Sequence, residues 1–151
     1  MFSKACEYGI RAMILTAWRS QDGGRVNITE ISERIGSPTA FTAKVMQQLV
    51  REGLLSSHKG PTGGFSISPD EAKRVRLSQV VGAIDGDSIY RGCGLGLSEC
   101  SDERPCPVHD RFVAVREELR HMLERTSIHD LCTGLDSGLT FLIRDIMEHH
   151  N

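Results

Sequence analysis

A chain of 151 residues and 16.7 kDa has room for one compact domain, or for a small domain with an appendage. With 39% hydrophobic and 25% charged residues its composition excludes wholesale disorder, and it lacks the run of about 18 apolar residues that a membrane-spanning helix needs. A net charge of −2 and a pI near 6.3, taken over the whole chain, count against a nucleic-acid binder.

In chain order, Cys6, Ile10, Met13 and Ala17 repeat at helical spacing and predict a first helix from Ser3 to about Arg19. Its apolar stretch Ala12–Trp18 follows Glu7 and Arg11 and lacks a small-residue cleavage site, so it does not read as a secretory signal. After Asp22-Gly23-Gly24, Asn27 can cap a short helix and Glu30 can return the bond; Ile28, Ile31 and Ile35 form its face and Gly36 stops it. Ser37 as cap and Pro38 at the first helical position open the next helix. Phe41, Val45 and Leu49 are predicted on its inner face, with Thr39, Thr42, Lys44, Gln47, Gln48 and Arg51 outside. Two short helices joined by a tight turn, the second polar and basic outside, predict a helix-turn-helix.

Leu54-Leu55-Ser56-Ser57 and Phe65-Ser66-Ile67-Ser68 read as strands around the turn-rich His58–Gly64. A hairpin directly after a helix-turn-helix makes a winged helix. Its glycines, Gly60 and Gly63 among them, let backbone approach a phosphate, and Lys59 supplies charge at the tip. Asp70 is expected to cap a helix over Glu71–Val75 and Ser78 another over Gln79–Ile84. Asp85–Ser101 is expected to be a loop.

From Pro107 to about Arg125, Val108, Phe112, Val115, Leu119 and Met122 form a narrow apolar seam on a helix roughly 28 Å long. That seam suits either its own subunit or a dimer interface. A final amphipathic piece is expected over Leu139–Met147. The resulting fold class is mainly α with a small β-hairpin wing: a winged helix-turn-helix over 1–84, a cysteine-bearing sensor loop over 85–106, and a dimerisation helix and tail over 107–151.

Charge follows the same division. Residues 1–76 carry 11 Lys+Arg against 7 Asp+Glu, and residues 77–151 carry 7 against 13. The basic half therefore coincides with the predicted groove helix and wing, although two solvated faces of one domain would look alike.

Of five cysteines, Cys93, Cys100 and Cys106 fall within 14 residues. An odd number with no export signal points to a reducing compartment, the cytoplasm, where clustered thiols bind metal or sense redox state. The run Cys93-x6-Cys100-x5-Cys106-x2-His109 offers three thiolates and an imidazole. It suits an iron–sulfur cluster with a fourth ligand of another type, a Cys3His zinc site, or redox-active thiols without metal. Gly92, Gly94 and Gly96 allow backbone N–H groups to turn toward sulfur.

The chain resembles the IscR/NsrR-type winged-helix transcriptional regulators, almost end to end. The resemblance rests on Ser3-Lys4, Ile31-Ser32-Glu33-Arg34, Gly53-Leu54-Leu55-Ser56-Ser57, the wing Lys59-Gly60-Pro61-Thr62-Gly63-Gly64-Phe65, Leu77-Ser78-Gln79-Val80-Val81, and the three cysteines. It implies a homodimeric regulator, a repressor, that binds a palindromic operator in double-stranded DNA and senses iron, redox state or nitric oxide through an iron–sulfur cluster on Cys93, Cys100 and Cys106. In IscR-like members the fourth ligand is a histidine three residues after the last cysteine, matched by His109, and the cluster is then 2Fe–2S. In NsrR-like members it is an acidic residue of the first helix, reached from the partner subunit, and Glu7 holds that position; a 4Fe–4S cluster is the other cluster type that the resemblance allows. The first cysteine interval here is longer than in IscR-like members.

Each candidate also has a structural reading. Glu7 precedes Arg11 by four residues and can pair with it. His109 can be a helix-start residue, Cys6 and Cys132 buried core thiols, His58 a strand end, and His149 and His150 a solvated tail. For groove contacts, Thr39, Lys44 and Gln47 are the first choice and Thr42 the alternative, with Lys59, Gly60 and Gly63 in the wing. A cluster carrier or electron-transfer protein is the rival class; it leaves the wing unexplained. No nucleophile–base pair or phosphate-binding loop marks an enzyme.

Overall fold

The computed structural model describes residues 1–136 together with 138, 141 and 142. The elements run α1 (Lys4–Arg19), α2 (Ile28–Ile35), α3 (Thr39–Arg51), β1 (Ser56–His58), β2 (Gly64–Ser66), α4 (Pro69–Arg74), α5 (Leu77–Asp85), α6 (Ser88–Arg91), α7 (His109–Arg125) and α8 (Ile128–Asp136). This is the expected order: helix, helix-turn-helix, hairpin wing, then a long C-terminal helix.

Local chemistry sets the boundaries. Ser3 Oγ accepts from Cys6 N at 3.0 Å and caps α1, and Asn27 Oδ1 accepts from Glu30 N at 2.8 Å to cap α2. The Glu30 carboxylate is engaged by Arg19 Nη2 at 2.9 Å and by Arg34. Three predicted caps move. Pro38, not Ser37, stands at the cap position of α3, and Ser37 Oγ lies 2.6 Å from Thr42 Oγ1. Ser68 caps α4 with Pro69 in its first turn, leaving Asp70 inside. Gln79 Oε1 accepts from Arg76 N at 2.8 Å, so α5 begins at Leu77, ahead of Ser78. At α4 and α5 the start moves because a neighbouring side chain, Ser68 or Gln79, reaches the open N–H first; at α3 no side chain caps the helix.

α1 is the central element, in contact with α2, α3, α5 and α8. Met13 packs with Ile31 and Ile35 of α2, Met46 and Leu49 of α3, and Val80 and Val81 of α5 in one fully buried core. In the wing, Ser57 stands opposite Phe65, and Val26 adds a bridge on the other side of Phe65, with N–H···O contacts of 3.0 and 2.8 Å. Buried Phe65 thereby pins the wing to the core.

The far end of the chain is tied back. Leu77 N donates to Thr126 O at 2.8 Å and Ile128 N to Val75 O at 3.0 Å, an antiparallel bridge between the α4–α5 and α7–α8 connections. Leu123 and Ile128 are fully buried beside it, and α8 packs on α1 and α4. α8 is not among the elements predicted above, although Ile128, Leu131, Cys132 and Leu135 stand at helical spacing. The predicted helix over Leu139–Met147 lies outside the described residues except for 141 and 142. In the seam of α7, Phe112, Val115 and Met122 are 39%, 59% and 46% exposed, so the described part of the chain leaves that face uncovered.

Cys6 is wholly buried. Burial first, then the charge and hydrogen bond of Asp85 and the charge of Glu7, push its thiol from the ordinary 9.0 up to about 12. The folded chain keeps this proton to about pH 12, whereas the unfolded chain releases it near 9. Stability is therefore lost as pH rises from 9 toward 12, by at most about 1.4 kcal/mol per pH unit for one proton. Urea unfolding between pH 8.5 and 10.5 should give a shallower pH dependence for Cys6→Ala than for the wild type; equal slopes would show that Cys6 does not titrate this way.

Candidate nucleic-acid interface and cysteine pocket

Thr39, Lys44 and Gln47 are exposed on α3, at spacings that keep them along one side of the helix. Lys59 and Gly60 are exposed in the wing and Gly63 is half-buried. Three placements on α3 are corrected. Thr42 is fully buried, and its hydroxyl donates to Pro38 O at 2.7 Å, so it does not stand on the outer face. With Val45, Met46 and Leu49 it completes the inward stripe, where polarity alone had suggested the outside. Phe41 is 41% exposed, edge-on to Tyr8 with centroids 5.7 Å apart, instead of lying in the core. Gln48 turns inward and donates from Nε2 to Ala83 O at 2.7 Å.

The wing glycines have distinct jobs. Gly60 has φ +96° and accepts from Gly63 N at 2.9 Å, closing the tip. A Cβ on Gly63 would lie 2.2 Å from His58 O, so hairpin closure by itself demands glycine there. His58 faces Ser66, Nε2 to Oγ 2.8 Å.

Cys93, Cys100, Cys106 and His109 line one pocket, together with Phe112 and Arg116 of α7. No pair of the five cysteines is bridged. Cys93 Sγ accepts from Leu95 N at 3.4 Å. That bond and a second from the Leu97 backbone, with help from the Cys106 side chain, hold the Cys93 thiol below its ordinary range. Cys100 Sγ lies 3.3 Å from His109 Nδ1 and accepts from Arg116 Nη2 at 2.9 Å. The other imidazole nitrogen, Nε2, is 2.7 Å from Asp102 Oδ1, and His109 is only 6% exposed. The ring of Phe112 covers Gly94 so closely that a Cβ there would be 2.5 Å from it. An open cleft of about 500 Å³ adjoins the pocket and shares Cys100, His109 and Arg116.

As placed, no three His, Cys, Asp or Glu side chains among the described residues form a ready metal-ion site. The donor chemistry nevertheless fits a thiolate-held group. Three sulfurs share a pocket, a backbone N–H is aimed at one of them, and an imidazole offers one nitrogen to the pocket while a carboxylate holds the other. That last arrangement is how ligating histidines are commonly oriented. Glu7 does not line this pocket. Its 43% exposed side chain pairs with Lys4 at 3.2 Å, and the anticipated Arg11 partner donates instead to Ile35 O at 2.7 Å.

Arg116 and Asp102 were not anticipated. Arg116 follows His109 by seven residues, two turns along one helix face, and that spacing was the available signal. Asp102 offered none, being one of several acidic residues in an irregular segment.

Residues 2–134 match the profile of the Rrf2 family, described as iron-dependent transcriptional regulators. An HTH-type transcriptional regulator from Aquifex aeolicus is 30% identical over 134 residues, which cover 87% of this chain and 90% of the relative. The regulator IscR of Xenorhabdus nematophila is 30% identical over 82% of this chain and 74% of its own. Among solved structures, CymR, the global cysteine regulator of B. subtilis, superposes with TM-score 0.72 at 17% identity over 88% of this chain and 96% of its own. IscR of T. potens does so with TM-score 0.68 at 17% identity, over 98% and 96%. These structural likenesses carry the fold.

The environments of the thiols separate their reactivity, because the thiolate is the attacking form. In the native metal-free chain at pH 7, iodoacetamide should label Cys93 well before Cys6 and Cys132, which should react only on unfolding. Peptide mass mapping over a time course reads this directly, and early labelling of Cys6 would refute the assignment.

Proposed function

Because the chain belongs to the Rrf2 family of transcriptional regulators, we propose that it is a homodimeric, operator-binding repressor whose Cys93, Cys100 and Cys106 hold an iron–sulfur cluster, with His109 as the fourth ligand. The observation that carries this reading is the buried imidazole of His109, set between Cys100 and Asp102 in the pocket that the three cysteines share. It favours a 2Fe–2S cluster ligated by His109 over a 4Fe–4S cluster ligated by Glu7 of a second copy.

When bound, such a cluster supplies a redox centre open to loss of iron and to attack by oxidants or nitric oxide. The chain's own residues do the rest. Asp102 orients His109, the Leu95 N–H steadies the Cys93 sulfur, and Phe112 presses the loop against α7 at Gly94. The exposed Phe112, Val115 and Met122 pair with the same face of a second copy. The dimer sets two α3 helices into successive major grooves about 34 Å apart on a palindromic site. Thr39, Lys44 and Gln47 face the bases: glutamine can pair adenine, and lysine guanine or phosphate. Lys59, with Gly60 and Gly63, meets phosphate at the wing. The three segments 1–84, 85–106 and 107–151 thus bind DNA, sense and dimerise, and the working compartment is the cytoplasm.

Anaerobic reconstitution with iron and sulfide tests the sensor. Visible absorption with about two irons and two sulfides per chain is the expected result, lost or shifted in His109→Ala and retained in Glu7→Ala. A colourless protein with stoichiometric zinc would establish the Cys3His zinc site, and one with no metal at all the thiol reading. Separately, Lys59→Ala should weaken binding to a palindromic fragment and reduce the dependence of log K on log salt by about one unit. Binding indifferent to both would remove Lys59 from the interface.

A further inference from the structure

Arg116 has no part in ligation or DNA contact, yet its guanidinium holds three acceptors. Nη1 donates to Gly92 O at 2.7 Å and Tyr90 O at 3.3 Å, and Nη2 donates to Cys100 Sγ at 2.9 Å. One turn further along α7, the Arg120 guanidinium lies over the Tyr90 ring, 4.1 Å from its centroid. The two carbonyls are neutral acceptors that do not change. The Cys100 sulfur is the acceptor whose electron density depends on what it holds, whereas arginine keeps its charge throughout.

We propose that Arg116 is a positioning and tuning residue for the sensor: its N–H bond and positive charge on the Cys100 sulfur raise the reduction potential of the group held there. The inference rests on the cluster reading above. One-electron reduction by an external donor adds a negative charge that spreads onto the ligating sulfurs. A fixed cation and an N–H aimed at one of those sulfurs stabilise the reduced form over the oxidised one. The two carbonyl bonds hold the guanidinium in place in both states, so the donor is preorganised and does not have to be gathered when the charge arrives.

The test is a potentiometric titration of reconstituted wild type, Arg116→Gln and Arg116→Lys, followed by visible absorption and electron paramagnetic resonance. Arg116→Gln keeps N–H donors but loses the charge, and should titrate at a more negative potential than wild type. Arg116→Lys, which restores the charge, should recover most of that shift. Equal potentials in wild type and Arg116→Gln would overturn the proposal, as would identical shifts in both variants, which would mark a structural role only. Should Arg116→Gln take up no cluster, Arg116→Met serves as the uncharged variant: a more negative potential than wild type, recovered in Arg116→Lys, supports the role of charge, and a potential equal to wild type overturns it. Failure of the underlying cluster reading is seen in the wild type itself, as a protein that reconstitutes without colour, and it overturns the tuning role with it.

Discussion

Two backbone hydrogen bonds, Leu77 N to Thr126 O and Ile128 N to Val75 O, fix where α7 ends relative to where α5 begins. Between those points α5 stays in the core against α1 and α3, while α6, the cysteine loop and α7 leave the winged domain as a closed excursion and return to it at that one bridge. The cysteines can therefore sit on irregular backbone and still have defined neighbours, because both flanking helices are anchored. Ser3 reinforces the same frame from the other side. Its backbone N–H donates to Asp85 Oδ2 at 3.0 Å, its hydroxyl to Oδ1, and its Oγ also caps α1. The last residue of α5 is thus bound to the first turn of α1 just before the excursion begins.

α7 meets three environments on three sides. Leu123 and half-buried Leu119 face the domain, His109 and Arg116 face the cysteine pocket, and Val115 and Met122 face outward. The seam residue Phe112 belongs to two of these at once, part exposed and part lying on Gly94. A chemical change in the loop and a change in the packing of the outer face therefore meet at one aromatic ring. The charge division serves the same arrangement. The segment carrying α3 and the wing is the basic one, where phosphate attraction is useful, and the excess of acidic residues, 13 against 7 basic, lies in residues 77–151.

How much of this was legible in the sequence follows from where local rules suffice. Ser3, Asn27 and Gly36 act on their own helices, so those boundaries could be read directly. The wing could be read because turn residues and strand formers alternate within eleven positions. Thr42 and Phe41 went the wrong way because a hydroxyl can be satisfied by the carbonyl of the preceding turn and so be buried cheaply, while an aromatic ring at the edge of a stripe can lie on a neighbouring ring. Gln48 buries itself for the sake of one carbonyl on α5, a contact 35 residues away that no local pattern encodes. The same holds at the cysteine pocket. The donors were evident from residue type and spacing, but the partners that orient them, Asp102 and Arg116, are set by the path of the loop. α8 was legible by the same local rules, with Ile128, Leu131, Cys132 and Leu135 at helical spacing and Ser127 and Asp130 bonded reciprocally at its start, and only its shortness and Gly134 weaken the signal.

The bridge at Thr126–Ile128 also has a mechanical meaning. It clamps α7 at one end only, with Leu123 seated beside the clamp and the cysteine pocket at the opposite end. Seventeen residues make an arm of about 25 Å. On an arm of that length, a displacement of about 1 Å at His109 turns the axis through roughly 2° about the clamp. The arm is braced along its length, by α5 and α6 packed against it and by the Arg116 bonds to Tyr90 O and Gly92 O, so its lever is shared with the excursion that carries the three cysteines.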